Sequence, residues 1–226
     1  MDKAAGWLKK TLRYEFSDVL LLRQALTHRS VPGSNNERLE YLGDAVLQMV
    51  VSEHVFRQRP NADEGTLSRL RSSLVKDTTL AEVATALGVG EQLILGSGEK
   101  KAGGHRRASI LADALEAIFA AVYLDAGFTA AREVIEVAYA DRLLNLPAAA
   151  DLRDPKTHLQ ELLQARKLSL PRYVVIKVSG KPHRQSFEVS CSIDDPVLQS
   201  SGRGASRREA EQAAAADMLD RLSKAG

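Results

Sequence analysis

The spacing of apolar residues changes once along this chain of 226 residues, and that change constrains the fold more than any other feature. In the first 145 residues apolar side chains recur at intervals of three and four. FSDVLLLRQALTHRS, NERLEYLGDAVLQMVVSEHVF, TLSRLRSSLV, TTLAEVATALG, RRASILADALEAIFAAVYLDAG and TAAREVIEVAYADRLLNL all carry this helical period. Strand-like alternation is absent from them, and Gly88 and Gly127 stand where helices are expected to stop. Residues 1–145 therefore predict an all-α domain. LPAAADLRD breaks the pattern, so residues 146–153 are expected to form a linker. Asp154 and Pro155 then supply the N-cap and first-turn proline of a helix through KTHLQELLQAR. RYVVIKVSG, SFEVSCSI and VLQSSGRG read as strands. In the second, Phe187, Val189, Cys191 and Ile193 alternate with Glu188, Ser190 and Ser192. A last helix from ASRREAEQAAAADMLDRL carries an alanine run, 213–216, suited to close packing on a sheet. Residues 154–226 thus predict an α+β domain of order α-β-β-β-α, its three antiparallel strands covered on one face by both helices.

Composition narrows the class. Apolar stretches fall far short of the ~18 residues that a membrane span needs, and MDKAAGWLKK lacks the apolar core of a secretory signal. The single cysteine, Cys191, excludes an internal disulfide; it fits a reducing cytoplasm and the core of its strand. Charge is divided unevenly. Residues 1–150 hold 18 Lys and Arg against 19 Asp and Glu, whereas residues 151–226 hold 13 against 10. The positive balance lies in the C-terminal third, which suits a polyanionic partner.

Asn36 to Leu47 is the most informative stretch. At 100° per residue Glu37, Glu40 and Asp44 share an arc of about 60° on one helix. Gly43 costs roughly 1 kcal/mol inside that helix, which points to a second backbone passing close by. Asp113 and Glu116 lie one turn apart on another helix, among Ile110, Leu111, Ala114, Leu115, Ile118 and Phe119. Like charges at these spacings repel, and unpaired buried carboxylates are costly. Two such helices facing each other describe a magnesium site, because hard cations take carboxylate oxygens and activate water toward a phosphodiester. Simpler readings stay open at this point. Glu37 fits a capping box with Ser34, Glu40 can pair with Arg38 or Arg71, and Asp113 with Arg106 or Arg107. His28 has neither a nucleophile pattern nor metal-ligand spacing around it, so a hydrogen-bonding structural role is expected. The loop 97–107, with Lys100, Lys101, Arg106 and Arg107, reads equally as a solvated turn and as a contact to phosphates.

In the C-terminal part, Thr157, Gln160 and Gln164 share a helix face away from Leu159, Leu162 and Leu163. Their hydroxyl and amide groups suit the 2′-hydroxyls of a shallow RNA minor groove. Ser206 and Glu209 form a capping box around Arg207 and Arg208. Arginines in a first turn oppose the helix dipole and make sense beside a bound phosphate.

These residues carry a resemblance. Asn36 to Leu47 resembles the signature of the ribonuclease III family, and Leu26 to Ser30 and Asp63 to Gly65 resemble further family segments, over nearly the whole chain. The resemblance implies that Glu40, Asp44, Asp113 and Glu116 bind magnesium, with Asp44 and Glu116 the most sensitive catalytic acids and Glu37 and Glu64 secondary contributors. It also implies a homodimer with Tyr41 at the interface, where the family usually has phenylalanine. The α-β-β-β-α part resembles a double-stranded RNA-binding domain, with Thr157, Gln160, Gln164, His183 of the turn 180–183, Arg207 and Arg208 as contacts. Glu211 departs from it, standing where many such domains carry lysine. A cytoplasmic endonuclease that cuts double-stranded RNA and processes precursors such as ribosomal RNA is the expected function. Two rivals are a non-cleaving RNA-binding regulator, against which the full acid set argues, and a phosphohydrolase of small esters, which needs no duplex reader.

Overall fold

The structure is a computed structural model that describes residues 2–148, 152, 154–180 and 184–225. It divides into two compact units, Met1–Leu152 and Arg153–Gly226. Leu146 and Leu152, within the stretch expected to be a linker, pack on the core of the first unit.

The first unit is built from α1 (Asp2–Leu12), α2 (Val19–Ala25), α3 (Glu37–Gln58), α4 (Glu64–Val75), α5 (Asp77–Leu87), α6 (Ser97–Lys101), α7 (Ala108–Ala138) and α8 (Ala140–Leu144). Its axis is α7, in which every residue from Ala114 to Val122 is buried. The alanines of that stretch let neighbouring helices approach, and α3 comes closest at Gly43. A methyl group there would overlap the backbone carbonyl of Glu116, so the sequence's misplaced glycine is a helix–helix contact at the acid site. Gly88 caps α5 in the left-handed region, at φ 74°. Gly127, at φ 82° and ψ −177°, breaks α7 as expected: one helical run ends there and a second continues to Ala138. The helix expected over residues 16–30 is shorter than expected. After α2 the chain forms a parallel bridge between Thr27 and Ile94, with His28 N donating to Ile94 O at 3.0 Å and Ile94 N to Leu26 O at 2.8 Å. A bridge of this length is too short to leave alternation in a sequence.

The second unit has the predicted order: α9 (Pro155–Ala165), β1 (Arg172–Ser179), β2 (Ser186–Asp194), β3 (Val197–Gly204) and α10 (Arg207–Ala225). The strands are antiparallel in the order β1-β2-β3. Asp154 Oδ1 accepts the Thr157 N–H at 3.0 Å, the cap expected of it. Cys191 and Ile193 share one core with Leu159 and Leu163 of α9 and Ala214, Ala215, Met218 and Leu222 of α10. Both helices therefore lie on one sheet face. The alanine run works as expected: Gly202 meets the backbone at Ala210 and Ala214 with no room for a methyl group, and Ser200 Oγ donates to Ala214 O at 2.7 Å.

Candidate metal centre and nucleic-acid surface

The contact at Gly43 sets the spacing of the acids. With α3 and α7 touching backbone to backbone, oxygens of Glu40, Asp113 and Glu116 lie within 4.8 Å of one another. Glu116 is buried, only 9% exposed. Burial is the largest cause that lifts its carboxyl to about 8, followed by the charges of Asp44, Glu40, Asp113 and Asp77. Glu40 is raised by burial and then by Asp113 and Glu37. Asp113 is raised by burial and Asp77, a rise opposed by His28 and Arg29. Burial is the largest cause in all three, and neighbouring acids add to it. An oxygen-rich, negatively charged and compact donor set of this kind fits a hard divalent cation.

Asp44 stands beside this group and is not one of the three. Gln48, one turn on, donates Nε2 to both of its oxygens, at 2.8 and 2.9 Å, and so fixes its carboxylate. Glu37 lies on the rim, within 3.5 Å of Arg29, and exchanges hydrogen bonds with Asn35. Asn35, rather than the expected Ser34, thus closes the start of α3. Glu64 opens α4 and lines a separate groove with Phe56 and Arg71. Neither expected arginine pairing of Asp113 forms; Arg107 bonds Glu99 instead, at 3.0 Å.

A cavity of about 410 Å³ adjoins the acids, bordered by His28, Arg29, Asn36, Glu99 and Arg107 together with Glu40 and Asp113. His28 Nδ1 is 2.8 Å from Ser30 Oγ, and that hydroxyl also accepts Gly96 N–H at 2.9 Å, the structural role expected of the histidine. The loop 97–107 is ordered as α6 and a 3₁₀ turn, Gly104–Arg106, so it forms a wall here. Asp77, Gln48 and the buried Asn36, whose Nδ2 has no protein partner, were missed in the sequence. Asp77 stands at the start of α5, away from the two acid-bearing helices, and Asn36 and Gln48 are uncharged residues of α3 and its cap.

On the outer side of α3, Tyr41, Met49 and Phe56 are 84%, 56% and 68% exposed. They fall within about 80° of one another around the helix, an apolar stripe without a partner among the described residues. In the second unit Thr157 and Gln164 are exposed and Gln160 half-buried on α9, while Arg207 and Arg208 are exposed on the first turn of α10. His183 lies outside the described residues. Glu211 is buried and accepts from both Lys156 and Arg207.

A helical unit with a carboxylate centre, followed by an α-β-β-β-α unit of RNA-binding form, defines a nuclease with its own duplex reader. Residues 18–143 match the Ribonuclease-III-like family and residues 155–222 match the Double-stranded RNA binding motif. The chain is 54% identical over 215 residues to Ribonuclease 3 of Alkalilimnicola ehrlichii, covering 95% of this chain and 94% of that protein. It is 53% identical over 223 residues to Ribonuclease 3 of Methylococcus capsulatus, covering 99% and 97%. The crystallised nuclease domain of Campylobacter jejuni ribonuclease III is similar at 42% identity and a TM-score of 0.59, over 62% of this chain and 96% of that one. A second structure of that domain, described for flexibility in a region involved in its dimer formation, is similar at 45% identity and a TM-score of 0.56, over 61% and 94%. The chain belongs to the ribonuclease III family and is a double-strand-specific endoribonuclease. No helix among the described residues is long and apolar enough to cross a membrane.

Proposed function

We propose that this enzyme hydrolyses phosphodiester bonds of double-stranded RNA with magnesium held by Glu40, Asp44, Asp113 and Glu116, and that its work is the processing of structured precursors such as ribosomal RNA in the cytoplasm. The observation that carries the proposal is the convergence of Glu40, Asp113 and Glu116 within 4.8 Å where α3 and α7 touch. Bound there, magnesium supplies an activated water and a counter-charge for the phosphate. Asp44, fixed by Gln48, faces Glu116 as the fourth acid. Glu37 and Glu64 act as secondary acids. Residues 1–145 form the catalytic domain, 146–153 the linker, and 154–226 the reader, which meets RNA through Thr157, Gln160, Gln164, His183, Arg207 and Arg208.

The exposed stripe of Tyr41, Met49 and Phe56 supports a twofold dimer through α3, since a patch of this kind is normally covered. Each acid set is complete within one chain, and two sites related by twofold symmetry match the antiparallel strands of a duplex. Glu116→Gln tests the site. It keeps the side chain's size and removes a ligand charge, so cleavage of long duplex RNA is expected to fall by more than about 1,000-fold, or 4 kcal/mol, with duplex binding nearly intact. Cleavage within tenfold of wild type would remove Glu116 from the metal site.

A further inference from the structure

Glu211 stands where a lysine would add positive charge to the RNA-facing end of α10, so by charge alone it opposes binding. Its contacts point elsewhere. Glu211 is buried beneath the first turns of two helices. Its Oε2 accepts the Lys156 ammonium at 2.5 Å and its Oε1 accepts Arg207 Nε–H at 2.9 Å. Lys156 is held on its other side by the Tyr173 ring, 4.6 Å from the ring centre. The neighbouring Gln212 binds the same corner of α9, accepting Lys156 N–H at 3.1 Å and donating to Asp154. The first turns of α9 and α10 are thus fastened together at the end that carries Thr157 and Arg207.

The bond to Arg207 uses Nε. This side chain is otherwise 65% exposed, and a guanidinium anchored through Nε keeps its terminal nitrogens as a fork turned outward. That fork matches phosphate geometry. A free arginine loses its rotamer freedom on binding, whereas one already anchored does not.

We infer that Glu211 is a positioning residue for duplex RNA, acting by holding Arg207 with its fork directed at a backbone phosphate. The inference rests on the reading of Arg207 as an RNA contact. Removing the acid therefore weakens binding even though it removes a negative charge from the RNA-facing surface.

The experiment is a double-mutant cycle in the full chain. A synthetic RNA duplex of roughly 30 base pairs is used, about twice the ~16 that one such domain spans, with a chelator present to prevent cleavage. Glu211→Gln keeps the buried volume, and its melting temperature reports that the unit is folded. Arg207→Lys changes only an exposed side chain and keeps its charge, so it tests the fork with no risk to folding. Expected results are a weakening of about fivefold for Glu211→Gln and for Arg207→Lys, the size of one ordered side chain. The slope of log K against log salt should be shallower by up to about one unit for Glu211→Gln, as for one lost phosphate contact. In an Arg207→Ala background Glu211→Gln should have no further effect. Equal or tighter binding by Glu211→Gln, with Arg207→Ala weakened, overturns the inference and leaves the RNA contact standing. An equal further loss from Glu211→Gln in the Arg207→Ala background also overturns it. Unchanged binding by Arg207→Ala overturns the contact itself, and the inference falls with it.

Discussion

Among the described residues two carboxylate side chains are buried, Glu116 in the first unit and Glu211 in the second, and their surroundings are opposite. Around Glu116 the neighbours are further acids, Asp44, Glu40, Asp113 and Asp77. Around Glu211 they are two cations, Lys156 and Arg207, whose hydrogen bonds and charges hold the carboxyl below its ordinary range. A carboxylate matched inside the protein organises its own surroundings. One left unmatched is poised for a charge that the protein does not supply, and that contrast separates the catalytic unit from the reader before any ligand is considered.

The sharpest way to break the contrast is pH. Burial, and then the charges of the neighbouring acids, push the Glu116 carboxyl up to about 8 in the folded protein from an ordinary value of 4.5. An acid raised in this way contributes stability that is complete below the unfolded value and is lost as pH rises through the folded one. In a chelator, the catalytic unit should therefore melt at a lower temperature at pH 8 than at pH 5. The difference should be on the order of 3 kcal/mol, below the limit of about 5 set by 1.36 kcal/mol per pH unit, because pH 5 to 8 covers only part of the window between the two values. Glu40 and Asp113, also raised, act in the same direction. Glu116→Gln should flatten the dependence, and magnesium should restore the wild-type protein at pH 8. Identical chelated melts at both pH values would mean that the acids are relieved by something other than a metal.

Gly43→Ala attacks the geometry that creates the unmatched site. The added methyl group has to displace the Glu116 backbone, since the two helices already touch there. A loss of about 3 kcal/mol in stability is expected, the upper range for overpacking, together with weaker magnesium binding. If calorimetry finds wild-type stability and wild-type metal affinity, the helix contact is not what sets the acid spacing.

Much of this was legible. The arc of Glu37, Glu40 and Asp44 and the misplaced Gly43 follow from helical periodicity, and the alternation of β2 gave the sheet and its core. What stayed hidden are mostly pairings across the chain. Asp77 reaches the acids from the start of α5. Gln48, one turn from Asp44, was hidden for another reason, since a glutamine at that spacing is ordinary in a helix. The Thr27–Ile94 bridge spans too few residues to show a period. Glu211 read as a lysine that was missing, because a contact to Lys156 across 55 positions leaves no local mark.

Removing residues 151–226 isolates the unmatched site from its reader. All the proposed metal ligands remain, while the proposed groove contacts are lost. Duplex binding should weaken on the order of 100-fold at moderate salt, with a flatter dependence of log K on log salt, since several phosphate contacts disappear. Cleavage should survive at low salt with excess enzyme. A truncated protein with an unchanged salt slope would mean that the catalytic unit itself does most of the reading.

The smallest effect belongs to the matched site. Glu211 is lowered first by the Lys156 hydrogen bond, against the opposing pull of burial, and then by Arg207. A lowered acid contributes stability above its unfolded value of 4.5, and that stability is lost as pH falls through the folded value. The reader should therefore hold its melting temperature from pH 8 down to about 5 and lose it below, opposite in direction to the chelated catalytic unit. The size should stay within about 0.2–1 kcal/mol for each pair, because Arg207 is 65% exposed and Lys156 31%. Glu211→Gln should remove the acid-side loss without touching the slope assigned to Glu116. Melting of the full chain between pH 3.5 and 8, followed by probes in each unit, measures both slopes at once. Two units that lose stability in the same direction would show that Glu116 and Glu211 do not differ in the way their neighbours indicate.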